Sequence, residues 1–112
     1  MTSQITSHVL DGSLGRPAAG VVVQLLDADQ ALVAEGATDA DGRIASLGPE
    51  VLPTGTYHVV FDTGAYFAGR GVDTFYPSVT ITIAVASAGA PAPHYHVPLL
   101  LSPFAYSTYR GS

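Results

Sequence analysis

The stretch SVTITIAVA, residues 78–86, decides the fold class. Val79, Ile81, Ile83 and Val85 alternate with Ser78, Thr80, Thr82 and Ala84. A period of two is what a strand needs to set one face on a core and the other in water. TYHVVFD, 56–62, repeats the pattern with Tyr57, Val59 and Phe61 on one side and His58, Val60 and Asp62 on the other. GVVVQLLD, 20–27, is a β-branched run suited to a core strand.

Working outward, shorter strands are expected at 5–11, 31–38, 43–47, 94–101 and 106–110, which makes about eight in all. The breaks at 12–17, 27–30, 39–42, 48–55 and 88–93 are rich in turn formers. Strands at this spacing, with no helices alternating between them, predict an all-β sandwich. One segment departs from the pattern: TGAYFAGRG, 63–71, predicts a short helix terminated by Gly71.

Composition bounds the rest. A chain of 112 residues with 47% hydrophobic and 12% charged content is expected to form one domain, 1–112, with a real core. The net charge of −5 sets nine carboxylates against Arg16, Arg43, Arg70 and Arg110, with no lysine. That is the opposite of a phosphate-tracking surface, so nucleic acid is not an expected partner. The absence of cysteine excludes disulfides, thiolate catalysis and cysteine-ligated metals. No apolar run reaches the about 18 residues that suggest a membrane span. MTSQITSHVL has neither the basic head nor the apolar centre of a secretory leader. The expectation is a cytoplasmic protein with no membrane partner.

Four groups of side chains could carry chemistry. His94 and His96 stand two apart on an expected strand and so share a face, the spacing at which β-scaffolds present paired imidazoles to a metal. His8 or His58 could add a third ligand, but no acidic ligand stands in the same segment. TDADGR, 38–43, invites a calcium reading that fails at both ends: aligning Gly42 with the loop glycine puts Ala37 and Gly48 where the first and last ligands belong. It reads better as a tight turn, with Asp39 and Asp41 bonding local amides and Gly42 supplying positive φ. That turn delivers Arg43 at the head of a strand, where its planar fork can meet an anionic or carbonyl-rich ligand. His8 shares a strand face with Thr6 and Leu10, where a lone histidine is most often a packing residue. In YSTYRGS, 106–112, Tyr109 is expected on the same strand face as Ser107, and Ser112 offers a hydroxyl. A serine nucleophile is conceivable there, but no G-x-S-x-G elbow supports one.

Taken together, SHVLDGSLGRPAAGV, TDADGR and HYHVPLLLSPFAYSTYRGS resemble the transthyretin-related 5-hydroxyisourate hydrolases of urate breakdown. The likeness covers essentially the whole chain. The terminal Tyr-Arg-Gly-Ser is its most specific mark, because transthyretin proper lacks it together with the histidine and arginine set. The resemblance implies a transthyretin-like sandwich of two four-stranded sheets with one short helix between the fifth and sixth strands. It also implies a homotetramer, a dimer of dimers, with active sites at the interface between dimers.

Carried over by resemblance, the site falls on His8, Arg43, His96, Tyr109, Arg110, Gly111 and Ser112. His8, Arg43, His96 and Ser112 would be catalytic; Tyr109, Arg110 and Gly111, with His8 and Arg43, would bind substrate. The implied reaction opens the six-membered ring of 5-hydroxyisourate with water, and needs no metal and no cofactor. A histidine near neutrality suits the base. Arg43, the second histidine or the Ser112 hydroxyl suits the developing oxyanion. Either His8 or His96 could be that base. Two rivals stand beside this reading: a transthyretin-like carrier of a small ligand, and a zinc hydrolase built on His94 and His96. A purely apolar carrier pocket would have no use for so many facing imidazoles and guanidiniums.

Overall fold

A computed structural model describes residues 3–87 and 91–111. Part of the expected break at 88–93, and the whole of Ser112, lie outside these. The elements in chain order are β1 Ile5–Asp11, β2 Arg16–Pro17, β3 Val22–Asp27, β4 Leu32–Ala37, β5 Arg43–Ile44, β6 Gly55–Phe61, α1 Thr63–Ala68, β7 Val79–Val85, β8 Tyr95–Ser102 and β9 Ala105–Thr108.

The strands form two sheets. One has the order β4-β3-β6-β7, antiparallel throughout. The other runs β2-β1-β8-β9, with β5 also on β1. The two-residue strands β2 and β5 share one edge of β1: Leu10 and Asp11 pair with β2, Ser7 and His8 with β5. The sheet is therefore four positions wide with its edge position split in two. β1 and β8, far apart in sequence, pair in parallel from Ile5↔Tyr95 to Asp11↔Leu101.

Alternation accounts for the core. Tyr57, Val59 and Phe61 of β6 are buried, as are Ile5 and Val9 of β1 and Val97, Leu99 and Leu101 of β8. In β7, Val79 and Val85 are buried and Ile81 and Ile83 half-buried, with the intervening threonines exposed. β1 and β8 turn their other faces outward. Thr6, His8 and Leu10 on one, and His96, Pro98 and Leu100 on the other, thus occupy the outer face of the same sheet.

The helix ends earlier than expected. Asp62 caps it, its Oδ1 accepting the Ala65 amide at 3.2 Å, and Gly69 rather than Gly71 is its C-cap. Phe67 is fully buried. Tyr66 donates its hydroxyl to Asp11 Oδ2 at 2.7 Å, and Arg70 reaches the same oxygen at 3.0 Å. This pins the helix to the end of β1.

Candidate active site

The TDADGR segment is the expected turn. Asp39 Oδ1 accepts the amides of Asp41 and Arg43 at 2.9 and 3.0 Å, and the Gly42 amide donates to the Asp39 carbonyl at 2.9 Å. Gly42 has φ of 73°, and a Cβ there would run into the Val9 carbonyl oxygen, so both conformation and space require glycine. Asp41 differs from the expectation: its backbone carbonyl, not its carboxylate, makes the useful bond, accepting from His8 Nε2 at 3.0 Å. Because a carbonyl only accepts, His8 carries a hydrogen on Nε2, and in the neutral ring Nδ1 holds the lone pair.

The turn sets Arg43 opposite His8 in the β1–β5 register. Ile44, next along, is buried, so Arg43 projects outward by alternation. Among the described residues the one side-chain ion pair is Arg70 with Asp11. Arg43 thus enters no salt bridge with them.

His96 arrives from β8. Its register partner on β1 is Thr6, whose Oγ1 lies 2.8 Å from His96 Nδ1 and 3.0 Å from His94 Nε2. The two imidazoles share a face, as their spacing predicts, and meet at one hydroxyl. Burial, the Arg43 guanidinium and the imidazoles of His94 and His8 together hold His96 below the ordinary histidine value of 6.5. It is a neutral, half-buried ring with a cation nearby. Thr6, Ser7, Arg43, Ile44, Ala45, His94 and His96 line a cavity of about 260 Å³.

The end of the chain grips His96 from the other side. The Gly111 amide donates to the His96 carbonyl at 2.9 Å, forming an isolated antiparallel bridge. Arg110 stacks on Tyr95, its Cζ 4.6 Å from the ring centroid. Strand β9 stops at Thr108, so the alternation expected to put Tyr109 on the face of Ser107 does not reach it. Tyr109 is 60% exposed. With Arg110 it lines a neighbouring cavity of about 320 Å³ beside Ile81, Ile83, Tyr95 and Val97. His96 forms part of both walls. The structure thus gathers His8, Arg43, His96 and Gly111, sets Tyr109 and Arg110 one cavity away, and leaves the Ser112 assignment outside the described residues.

From the sequence Thr6 stands out only as a neighbour of His8 on one strand face. Its signal was available: it stands two residues before His8, as His94 stands two before His96, and i, i+2 residues share a strand face. The ion pair of Asp11 with Arg70 spans 59 residues and had no local signal.

Known proteins place this architecture. The sequence profile of the HIUase/Transthyretin family matches residues 5–111. A 5-hydroxyisourate hydrolase of Salmonella typhimurium is 44% identical over 112 residues, covering 96% of this chain and 80% of that protein. Its counterpart in Halalkalibacterium halodurans is 40% identical over 119 residues, covering 100% of both. Among solved structures, the Klebsiella pneumoniae 5-hydroxyisourate hydrolase superposes with a TM-score of 0.87 at 37% identity, over 96% of this chain and 98% of that one. Sparus aurata transthyretin reaches the same TM-score at 34% identity, over 96% of each chain. The chain belongs to the HIUase/transthyretin family.

Proposed function

We propose that this protein is a 5-hydroxyisourate hydrolase, opening the substrate's six-membered ring to give 2-oxo-4-hydroxy-4-carboxy-5-ureidoimidazoline. The observation that carries the reading is the shared cavity: a guanidinium without a carboxylate partner among the described residues and a neutral imidazole face the same space. A carrier of apolar ligands would have to desolvate that guanidinium for no return.

Arg43 binds the planar, carbonyl-rich substrate through its fork and stabilises the oxyanion that forms at the attacked carbonyl. His96 is the general base. Its ring is already neutral at neutral pH, and its Nε2 has no hydrogen-bond partner among the described residues. Water loses a proton to His96 as its oxygen bonds to the ring carbonyl carbon. The tetrahedral intermediate then breaks its carbon–nitrogen bond, and the departing nitrogen takes that proton back. The new carboxylic acid ionises to a carboxylate. His8, its Nε2–H held by the Asp41 carbonyl, lies beside Arg43 and offers Nδ1 as an acceptor at the substrate's polar rim. Gly111 seats His96, Tyr109 and Arg110 wall the adjoining space, and Ser112 adds a donor.

The assembly that suits this site is a homotetramer, a dimer of dimers, working in the cytoplasm. Strands β7 and β9 end their respective sheets, and the seven-residue edge of β7 is of the kind that needs cover. Among the described residues no helix is long and apolar enough to cross a membrane.

The deciding experiment mixes purified protein with freshly generated 5-hydroxyisourate and follows its ultraviolet decay. Decay faster than the spontaneous rate, in proportion to protein, is expected. A rate equal to the spontaneous one would leave the carrier reading in its place. Light scattering checks the assembly: a fully active species of 11.5 kDa would refute the tetramer.

A further inference from the structure

We propose that Thr6 is a positioning residue that couples the tautomer of His96 to that of His94, holding the His96 hydrogen on Nδ1 and leaving Nε2 as the nitrogen that accepts the proton from water. The proposal rests on the hydrolytic reading of this site.

A threonine hydroxyl has one hydrogen to donate and can also accept. Thr6 Oγ1 stands within hydrogen-bond distance of two ring nitrogens, His96 Nδ1 at 2.8 Å and His94 Nε2 at 3.0 Å. Its two lone pairs could also accept from both rings, but among the described residues its own hydrogen has no acceptor other than these nitrogens, so with both rings neutral it donates to one and accepts from the other. The hydrogen positions of the two imidazoles are then no longer independent.

Thr6 is well placed to impose this. It is 8% exposed and sits directly opposite His96 in a continuous parallel ladder, so the β backbone, not a loop, sets its hydroxyl. The His96 ring is confined from the other side by Gly111, whose position allows no side chain against Cδ2, Cγ and Cβ of the histidine. A flipped ring would present a carbon to Thr6 and forfeit the bond.

Charge chooses between the two orders. The groups acting on His96 are His8 from β1, Arg43 from β5 and His94 from just before its own strand. Arg110 follows β9 and is stacked on Tyr95. Arg43 and His96 line the same cavity, and with Nδ1 turned to Thr6 the nitrogen left to face that space is Nε2; a nearby guanidinium favours a lone pair there over an N–H dipole. The order is therefore His96 Nδ1–H to Thr6 Oγ1, and Thr6 O–H to His94 Nε2. When His96 Nε2 takes a proton from water, the Nδ1–H bond to Thr6 stays in place and now serves the imidazolium. No group has to turn at the moment of reaction, which is the condition for a preorganised site.

The test reads tautomers directly. Nitrogen-15 spectra of histidine-labelled protein are recorded about two pH units above the ordinary histidine value, where the His96 ring is neutral, and His96 is assigned by comparison with His96→Gln. The wild-type protein should show a protonated Nδ1 and an unprotonated Nε2. Thr6→Val keeps the shape and removes the hydroxyl; its His96 shifts should average between tautomers, and kcat/KM should fall at least about tenfold. Thr6→Ser should restore the shifts and most of the rate. A wild-type His96 protonated on Nε2 overturns the proposal, and so does a folded Thr6→Val protein whose shifts match the wild type. The wild-type and Thr6→Ser spectra decide the matter even if Thr6→Val does not fold. A wild-type protein with the expected tautomer but no effect on substrate decay would refute the hydrolytic role while leaving the coupling standing.

Discussion

Gly111 and His96 are interlocked. The glycine amide donates to the histidine carbonyl, and a Cβ built on Gly111 would meet the ring at 2.5 Å from Cδ2, 3.1 Å from Cγ and 3.2 Å from Cβ. Because Cβ and Cγ do not move when the ring turns about the bond between them, rotation of the imidazole alone could not relieve the contact with a methyl group. Gly111→Ala should therefore either push His96 out of its seat or detach the tail. Since a misplacement of about 1 Å can cost about a hundredfold in rate, a loss of at least tenfold is expected in the substrate-decay assay. The neighbouring tail is exposed, so thermal unfolding should shift by no more than about 0.5 kcal/mol. Full activity in Gly111→Ala would show that the tail does not seat the ring.

As the proposed base, His96 should set the acid limit of activity. Its folded value lies below 6.5 because burial, and then Arg43, His94 and His8, disfavour the imidazolium. Above 6.5 the ring is neutral in both folded and unfolded chains, and this favourable state is fully present. As pH falls from 6.5 the unfolded chain takes up the proton first, and stability is lost until the folded value is passed. A pH profile of kcat/KM should stay level through 6.5 and decline only below it. A decline centred above 6.5 would remove His96 as the base.

Replacing the chemistry should spare the fold. His8→Ala, Arg43→Ala and His96→Ala should each lower turnover by about a hundredfold or more, the range of a positioned acid-base or charge-stabilising group. All three side chains project from the outer face of a sheet whose core lies on the other side, so circular dichroism should be unchanged. Arg43→Lys should recover little, because an ammonium is a point charge without the planar fork. An unfolded variant would instead mark that residue as structural.

Asp11 carries stability rather than catalysis. Its side chain is fully buried, facing Arg70, and its carboxylate accepts from Ser13, Leu14, Tyr66 and Arg70. Burial alone would raise its value, but the bonds from Ser13, Tyr66 and Leu14 outweigh that and hold it below 3.8. The resulting stability is present above 3.8 and lost as pH falls through the lower folded value. Asp11→Asn should cost about 2 kcal/mol or more and Tyr66→Phe about 1 kcal/mol in urea unfolding. The Asn variant should also lose part of the acid sensitivity. Turnover per folded molecule should be unchanged.

The two ends of the chain should tolerate additions differently. A tag fused directly after Ser112 extends the segment that bridges His96, and deletion of 109–112 removes it. Both should abolish most activity, whereas a tag before Met1 should have little effect. Equal rates for the two tagged proteins, measured side by side, would mean the tail has no part in the site.

Periodicity by itself determined which residues face the core. The alternation in 78–86 and 56–62 predicted β7 and β6 to within a residue at each end, and 5–11 coincides with β1. A period of two is local, so each strand announces its buried face without knowing its neighbour. The turn chemistry of Asp39 and Gly42 was equally local, and so was the delivery of Arg43 to the head of β5. The likeness of three segments, SHVLDGSLGRPAAGV, TDADGR and the terminal HYHVPLLLSPFAYSTYRGS, to a hydrolase family named candidate site residues without placing any of them in space.

What required the tertiary structure was everything that depends on register. Thr6 and His96 stand 90 residues apart, and only the parallel β1–β8 ladder makes them neighbours. Nothing in either segment specifies that pairing, because its free energy comes from burying Ile5, Val9, Val97 and Leu99 together against the second sheet. The same holds for β2, which has no periodicity of its own and exists because the turn at Gly15, φ 67°, folds Arg16 and Pro17 back onto β1. The expected strand 43–47 shrank to Arg43–Ile44, paired with Ser7 and His8, because the chain beyond leaves the ladder and the Leu47 amide donates to the Ser3 hydroxyl instead. Local chemistry chose the residues, and long-range packing chose which of them meet.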